Sequence, residues 1–129
     1  MGMFKTLLVE DNLAYRSALK NALLKRYVGL EAREASGESD ALECMVTYSP
    51  DLIIMDIDLS SAVNGLDLTK EIKSKCPEVV VVILSQHDNP EYRSAAQQNG
   101  ADHYFSKLSS LESIFDYVDS VVISKRGLH

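Results

Sequence analysis

The sequence predicts an α/β fold in which an open, doubly wound parallel sheet lies between two layers of helices. Three observations favour it: short apolar segments alternate with segments of helical period, two of the apolar segments are nearly uninterrupted, and capping or turn residues separate the segments. Strands that are covered on both faces need such uninterrupted apolar runs. Regular alternation of strands and helices is typical of right-handed β–α–β crossovers.

Five segments are predicted as strands because they are short and rich in apolar or β-branched residues. The third and fourth contain the runs LIIM (52–55) and VVVVIL (79–84), which indicate central strands. The predicted strands are residues 4–9, 30–35, 51–55, 79–84 and 103–105.

Five helices are predicted from apolar residues that recur at three- and four-residue steps. The first helix has an apolar face of Tyr15, Leu19, Ala22 and Leu23, and a solvent face of Arg16, Lys20 and Lys25. The last helix has an apolar face of Leu111, Ile114, Phe115, Val118, Val121 and Val122.

Capping signals set the predicted ends of two helices. Ser109 and Glu112 have the spacing of a capping box at the start of the last helix. Asn89 followed by Pro90 predicts the start of the fourth helix, and Gly100 predicts its end.

Length and composition restrict the class of protein. A chain of 129 residues with 46% hydrophobic and 25% charged residues suits one globular domain. A net charge of -6 argues against a broad nucleic-acid surface. No apolar run reaches about 20 residues, so no membrane span is predicted, and no cleavable signal is expected. Cys44 and Cys76 are not spaced as a metal pair, which favours reduced thiols in a cytoplasmic protein.

Chemically complementary residues follow four of the predicted strands. Glu10 and Asp11 follow the first strand, Asp56 the third, Ser85 the fourth and Lys107 the fifth. Doubly wound sheets place their sites outside the carboxyl ends of the strands, so these residues should meet there. Three carboxylates repel one another unless a cation lies among them, and Mg2+ prefers oxygen ligands. A lysine and a hydroxyl suit a phosphoryl group, so a phosphoryl-transfer site is predicted.

Each of these residues also has a simpler explanation. Asp11 or Asn12 could only cap the following helix, and Asp56 could only form a turn. Ser85 and Lys107 could be ordinary surface residues. Their combination at four strand ends is what favours the functional interpretation.

Four segments, in this order and spacing, resemble the receiver domain of bacterial response regulators in two-component systems. They are LLVEDN (7–12), DLIIMD (51–56), VILS (82–85) and GADHYFSK (100–107). The resemblance covers about residues 5–124. It implies a flavodoxin-like sheet with strand order 2-1-3-4-5 and five helices. It also implies a single receiver domain over residues 1–129, either standing alone or forming the N-terminal part of a longer regulator.

The resemblance implies the chemistry of the site. Asp56 would accept a phosphoryl group. Mg2+, or Mn2+ in its place, would be held by Glu10, Asp11, Asp56 and the backbone carbonyl of Asp58. Lys107 would neutralise charge on the phosphoryl oxygens.

The resemblance also implies a switch and its partners. Ser85 would turn towards the phosphoryl group, and the ring of Tyr104 would swing inward, although Tyr104 could equally be a static, half-buried side chain. The output face would be the fourth helix, fifth strand and fifth helix. Expected partners are a sensor histidine kinase or phosphotransfer protein, a downstream effector or output domain, and a second copy in a homodimer. No direct nucleic-acid binding, no membrane and no enzymatic activity beyond self-phosphorylation and self-dephosphorylation are expected.

Several residues depart from the commonest family pattern. Ser60 stands where a proline is common, and Gly65 follows Asp56 by nine residues rather than eight, so the loop of residues 57–64 is expected to carry one extra residue. Leu108 rather than proline follows Lys107.

Three residues are expected to tune the lifetime of the phosphoryl group. Asp58 could either orient water or repel the phosphoryl group, and the sequence leaves the sign open. Gln86 is longer than the small residue usual at its position and would narrow access. His87 is predicted as a solvent-facing loop residue rather than a metal ligand, because no second His or Cys joins it.

Two other functions compete with the receiver interpretation. The segment DIDLS (56–60) looks like the first motif of haloacid-dehalogenase-like phosphatases, with Ser85 and Lys107 available for later roles. Chain order counts against this alternative, because there the metal-binding acids follow the lysine. The second alternative is a pseudo-receiver that acts only as an interaction module.

Overall fold

The computed structural model describes residues 4–59, 64–87 and 89–125, and in these residues five strands alternate with five helices. The strands are β1 Phe4–Val9, β2 Leu30–Ala35, β3 Leu52–Asp56, β4 Val80–Ser85 and β5 His103–Ser106. The helices are α1 Leu13–Arg26, α2 Glu38–Thr47, α3 Gly65–Lys75, α4 Pro90–Gln98 and α5 Leu111–Lys125. No helix within these ranges is long and apolar enough to cross a membrane.

All five strands lie parallel in one sheet of order β2-β1-β3-β4-β5, which confirms the predicted fold. Val9 lies beside Met55, so the residues that follow them, Glu10 and Asp56, come together. Asp56 in turn lies beside Leu84. The register therefore gathers the predicted site residues at one edge of the sheet.

The sheet separates two apolar cores, because successive strand residues point to opposite faces. One face packs against α2, α3 and α4 and contains Leu7, Val9, Ile53, Met55, Val81 and Ile83. The other face packs against α1 and α5 and contains Leu8, Leu52, Ile54, Val82 and Leu84. The strands β3 and β4 are buried almost throughout, as their uninterrupted apolar sequences predict.

The last three strands reach one residue further towards the site than predicted. β3 includes Asp56, β4 includes Ser85 and β5 includes Ser106. Asp56 pairs with Leu84, and Ser85 pairs with Ser106, so the ladder continues to the edge. Asp56 and Ser85 are thus fixed by sheet hydrogen bonding rather than carried on a loop.

Short polar side chains begin several helices. Asn12, Asn64 and Asn89 each accept a hydrogen bond from the backbone amide three residues later. At the end of α4, Gly100 has a positive φ of 95° and its amide donates to the carbonyl of Gln97. The predictions for both ends of α4 are therefore confirmed.

The predicted capping box of α5 is wrong by one residue. The helix begins at Leu111, and the Oγ of Ser110 accepts from the Ser113 amide at 3.3 Å. The amide of Ser109 instead donates to the carbonyl of Ser106 at 2.9 Å. Ser109 consequently belongs to the turn that leaves β5.

Gly65, the first residue of α3, lies directly against the end of β3. A Cβ at this position would stand 1.9 Å from the carbonyl oxygen of Asp56. The Gly65 amide also donates to the carbonyl of Ile57 at 2.9 Å. The start of α3 can approach the end of β3 this closely only because residue 65 has no side chain.

Gly65→Ala is expected to lower the free energy of unfolding by about 1–3 kcal/mol, because either α3 or the end of β3 must move. Urea unfolding followed by circular dichroism measures the change. Gly37→Ala is the control, since Gly37 precedes α2 with extended backbone (φ -169°) that alanine also adopts. A loss no larger than that of the control would contradict the close packing of Gly65 on Asp56.

Candidate functional site

Three carboxylates meet at the carboxyl edge of the sheet. One ligand oxygen from each of Glu10, Asp11 and Asp56 lies within 4.8 Å of the other two. Glu10 and Asp56 are 5% and 4% exposed, whereas Asp11 is exposed. Glu10 is held in place because its amide donates to the Ala35 carbonyl at 3.0 Å and its Oε2 accepts from the Asn12 amide at 3.1 Å.

Lys107 provides the positive charge at this cluster. Its Nζ donates to Glu10 Oε1 at 2.6 Å and lies 3.6 Å from Asp56 Oδ1. Its backbone amide donates to the carbonyl of Ser85 at 2.7 Å, which fixes where the side chain leaves β5. The side chain of Lys107 is only 11% exposed, so the pairing with Glu10 offsets much of the cost of burying the ammonium.

Burial raises the pKa of Asp56 to about 7, and the adjacent Glu10 adds to this rise, while Lys107 and the Asp58 backbone oppose it. Burial alone would lower the pKa of Lys107. The hydrogen bond to Glu10 and the charge of Asp56 outweigh that effect, so the pKa of Lys107 is raised. Lys107 therefore stays charged, while Asp56 titrates near neutral pH.

The acidic cluster fits a divalent cation. Asp56 Oδ1 is buried and has no hydrogen-bond partner, which is an uncommon and costly arrangement for a carboxylate oxygen. The neighbouring donors, Glu10 and Asp11, also offer carboxylate oxygens. An all-oxygen set of this kind is what Mg2+ binds, and Mn2+ accepts the same ligands.

Arg16 also belongs to the site, contrary to its predicted place on the solvent face of α1. Its Nη1 donates to the Glu10 carbonyl at 2.7 Å, and its Nε pairs with Glu34 Oε1 at 2.8 Å. The helical period correctly places its Cβ away from the core, but the long side chain reaches back to the end of β1. The signal in the sequence was its position in the first turn after a strand that ends in acids.

Ser85 and Tyr104 meet at the backbone of His87. Ser85 is fully buried, and its Oγ accepts from the His87 amide at 3.0 Å. The hydroxyl of Tyr104 donates to the His87 carbonyl, and the Tyr104 ring is 8% exposed. The guanidinium of Arg93 lies 4.8 Å from the centre of that ring. The Tyr104 ring therefore points inward.

His87 lies in a loop with its side chain 38% exposed, and the side chain also makes two contacts. Its Nε2 lies 3.1 Å from Asp58 Oδ2, and its ring stacks on Tyr92 with centroids 4.3 Å apart. One contact comes from the loop after β3 and the other from α4, so the ring links these two segments. Gln86, by contrast, is exposed at the rim of the site.

Part of the altered loop falls outside the described residues. Ser60, the residue at the usual proline position, is among them, so the expectation of an extra residue in the loop stays a prediction. The peptide bond from Lys107 to Leu108 is trans, and the Leu108 amide donates to Ser106 Oγ at 3.1 Å.

Comparison with protein families identifies this arrangement. The family model of the response regulator receiver domain matches residues 6–119. The chain belongs to this family. It is therefore a receiver domain of the two-component response regulators, and the match decides against the haloacid-dehalogenase-like alternative.

Known relatives agree with this assignment. The receiver domain is 26% identical over 122 residues to the transcriptional regulatory protein DegU of Brevibacillus brevis, covering 95% of this chain and 51% of DegU. It is 30% identical over 116 residues to the transcriptional activator protein ExaE of Pseudomonas putida, covering 90% of this chain and 54% of ExaE. The chain thus spans about half the length of these curated relatives.

A solved structure shows the same fold at similar sequence identity. The receiver domain of NtrX from Brucella abortus superposes with a TM-score of 0.83 and 30% identity, covering 90% of this chain and 96% of that domain.

Asp56→Asn is expected to stabilise the metal-free protein above pH 7. The pKa of the Asp56 carboxyl is raised in the folded state, so the wild type loses stability as pH rises from about 4 to about 7. The variant escapes this loss and should exceed the wild type by about 1–3 kcal/mol at pH 8. The difference should shrink as the pH falls towards 4.

Urea unfolding in chelator-treated buffer across this pH range measures the difference. The exposed Asp116 provides the control, and Asp116→Asn should leave the pH dependence of the wild type unchanged. A variant at position 56 that is less stable than the wild type at pH 8 would contradict the raised pKa.

Proposed function

We propose that this receiver domain accepts a phosphoryl group on Asp56 in a Mg2+-dependent reaction. The observation that carries the proposal is the buried Asp56 carboxylate, which lies beside two further acids and 3.6 Å from the ammonium of Lys107. The donor would be a phosphohistidine on a sensor histidine kinase or phosphotransfer protein.

Asp56 is the nucleophile of the proposed reaction. One of its carboxylate oxygens attacks phosphorus, the O–P bond forms, the P–N bond to the donor histidine breaks, and the electron pair leaves with the imidazole. The nucleophile must be ionised. Positive charge beside Asp56 opposes the rise of its pKa and therefore favours the reactive form.

Glu10, Asp11 and Asp56, together with the backbone carbonyl of Asp58, would hold the cation. Bound Mg2+ supplies positive charge that neutralises the transferring phosphoryl oxygens. Mn2+ can replace it because it accepts the same oxygen ligands. Lys107 adds a second positive charge from the side of β5, and its bond to Glu10 keeps the ammonium in place before phosphoryl transfer.

Ser85, His87 and Tyr104 would form the switch. When the Ser85 hydroxyl turns to donate to a phosphoryl oxygen, it gives up its present bond with the His87 amide. The carbonyl of the same residue accepts from Tyr104, so a change in this loop alters the position of the Tyr104 ring. The affected output face would comprise α4, β5 and α5.

The partners of the whole protein follow from the family as proposals. Because the chain spans about half of DegU and ExaE, an output domain or a separate effector would receive the signal. A homodimer through the output face would be one active form. The receiver itself would catalyse only its own phosphorylation and dephosphorylation.

Incubation with acetyl phosphate and Mg2+ should add one phosphoryl group to the wild type, detected by intact mass spectrometry. The adduct should be absent without Mg2+, because the three carboxylates would then repel the negatively charged acetyl phosphate. It should also be absent in Asp56→Asn, which keeps the shape of the side chain but removes the nucleophile.

Beryllofluoride distinguishes the two meanings of a missing adduct. Stable, Mg2+-dependent capture of beryllofluoride by the wild type would show a site that loses its phosphoryl group quickly. Failure to capture either reagent would overturn the proposed function and leave the pseudo-receiver, an interaction module, in its place.

Asp58 and His87 are expected to control phosphoryl lifetime as a coupled pair, because their side chains touch at 3.1 Å. Asp58→Asn, His87→Gln and the double variant should change the dephosphorylation rate non-additively, with a coupling of about 0.5 kcal/mol or more, roughly a twofold difference in rate. Decay of the phosphorylated mass measures these rates.

Asp58→Asn combined with Gln86→Ala is the control for additivity. Gln86 is exposed, so the effects of these two substitutions on the dephosphorylation rate should add. Strictly additive effects of the Asp58 and His87 variants would show that their contact has no influence on the lifetime.

A further inference from the structure

The ammonium of Lys107 has an aromatic neighbour as well as an acidic one. Its Nζ lies 4.5 Å from the centre of the Tyr15 ring, well within the range of cation–π attraction. The same Nζ lies 2.6 Å from Glu10 Oε1 and 3.6 Å from Asp56 Oδ1, and the second distance is too long for a direct hydrogen bond. The lysine charge is thus shared among a ring face and two carboxylates.

The backbone of Tyr15 is hydrogen-bonded at the start of α1, and its ring is partly buried. The Tyr15 amide donates to the side chain of Asn12, which fixes the first turn of α1. The ring packs against the apolar core between the sheet, α1 and α5. A tyrosine side chain has few rotatable bonds, so holding the ring costs little conformational entropy.

Tyr15 also helps to enclose the acceptor. Tyr15, Glu10 and Asp56 are among the residues that line one small cavity of about 10 Å3, near the lower limit for a single water molecule. With the lysine side chain only 11% exposed, the ring replaces water as a neighbour of the ammonium. Cation–π attraction is stronger in such a desolvated setting.

We propose that Tyr15 is a positioning residue for Lys107: its ring face, together with the bond to Glu10, holds the ammonium beside the acceptor carboxylate. The inference rests on the proposed phosphoryl transfer to Asp56. Without the ring, only Glu10 and Asp56 hold the ammonium, which is then less firmly placed for the phosphoryl oxygens.

The test varies the electron density of the ring at nearly constant shape. Tyr15 is replaced by phenylalanine and by phenylalanines carrying one, two and three ring fluorines, since each fluorine weakens the attraction of the ring face for a cation. The rate of phosphoryl loading from acetyl phosphate with Mg2+ should stay near the wild-type value in Tyr15→Phe. It should then fall stepwise, by about threefold to thirtyfold in total.

The same series at Tyr27 is the matched control. Tyr27 caps the other end of α1 and packs in the same core, but its ring neighbours are Arg26 and Phe115. Loading rates should be flat across that series. A flat series at position 15 as well, with the wild type loading normally, would overturn the role of Tyr15, since it would show packing alone.

A second measurement needs no phosphoryl chemistry. In the metal-free protein, the ring current of Tyr15 should shift the side-chain resonances of Lys107 upfield. The shift should persist in Tyr15→Phe and disappear in Tyr15→Leu. Its absence in the wild type would overturn the proposed contact.

The two experiments separate the possible failures. If the wild type takes up neither phosphoryl nor beryllofluoride, the proposed function fails and the role of Tyr15 in loading fails with it, whatever the resonances show. If the wild type loads and both the stepwise rate series and the ring-current shift are found, Tyr15 positions Lys107.

Discussion

The balance of charge around Lys107 is the constraint on which the site depends. Three carboxylates face one ammonium, and burial makes any incomplete pairing costly. Lys107 bonds Glu10 directly but only approaches Asp56, so one buried oxygen of Asp56 is left without a hydrogen bond. Burial and the adjacent Glu10 raise the pKa of Asp56 to about 7, and the charge of Lys107 opposes this rise only in part. Asp56 lies at the end of a buried strand. The start of α3 packs against its carbonyl oxygen, which requires that residue 65 has no side chain.

Much of this arrangement could be predicted from the sequence because two simple rules apply. Uninterrupted apolar runs gave the central strands β3 and β4, and parallel strands bring their carboxyl ends to one edge. Four strands carry a site residue at or directly after their carboxyl ends: Glu10, Asp56, Ser85 and Lys107. Their meeting could therefore be predicted without knowledge of side-chain conformation. The strand order came from the family resemblance, since alternation of strands and helices alone permits other orders.

The rest could not be predicted because periodicity describes where a side chain starts and not where it ends. The helical position of Arg16 predicts a solvent-facing side chain, but its guanidinium returns to the Glu10 carbonyl. The spacing of Tyr15 predicts a core residue, and nothing in that spacing points to Lys107. His87 lies in a loop, where its partners Asp58 and Tyr92 depend on the path of the backbone.

The contacts of His87 fall into two groups, those of its backbone and those of its imidazole, and substitution affects only the second group. Its amide and carbonyl bond Ser85 and Tyr104, and any residue except proline offers both groups. Its imidazole alone reaches Asp58 and Tyr92. If the receiver works as proposed, substitutions at this position would change the phosphoryl lifetime and keep the backbone groups that bond Ser85 and Tyr104. Related sequences would then be able to differ in response time at this one position and still keep the backbone bonds to Ser85 and Tyr104.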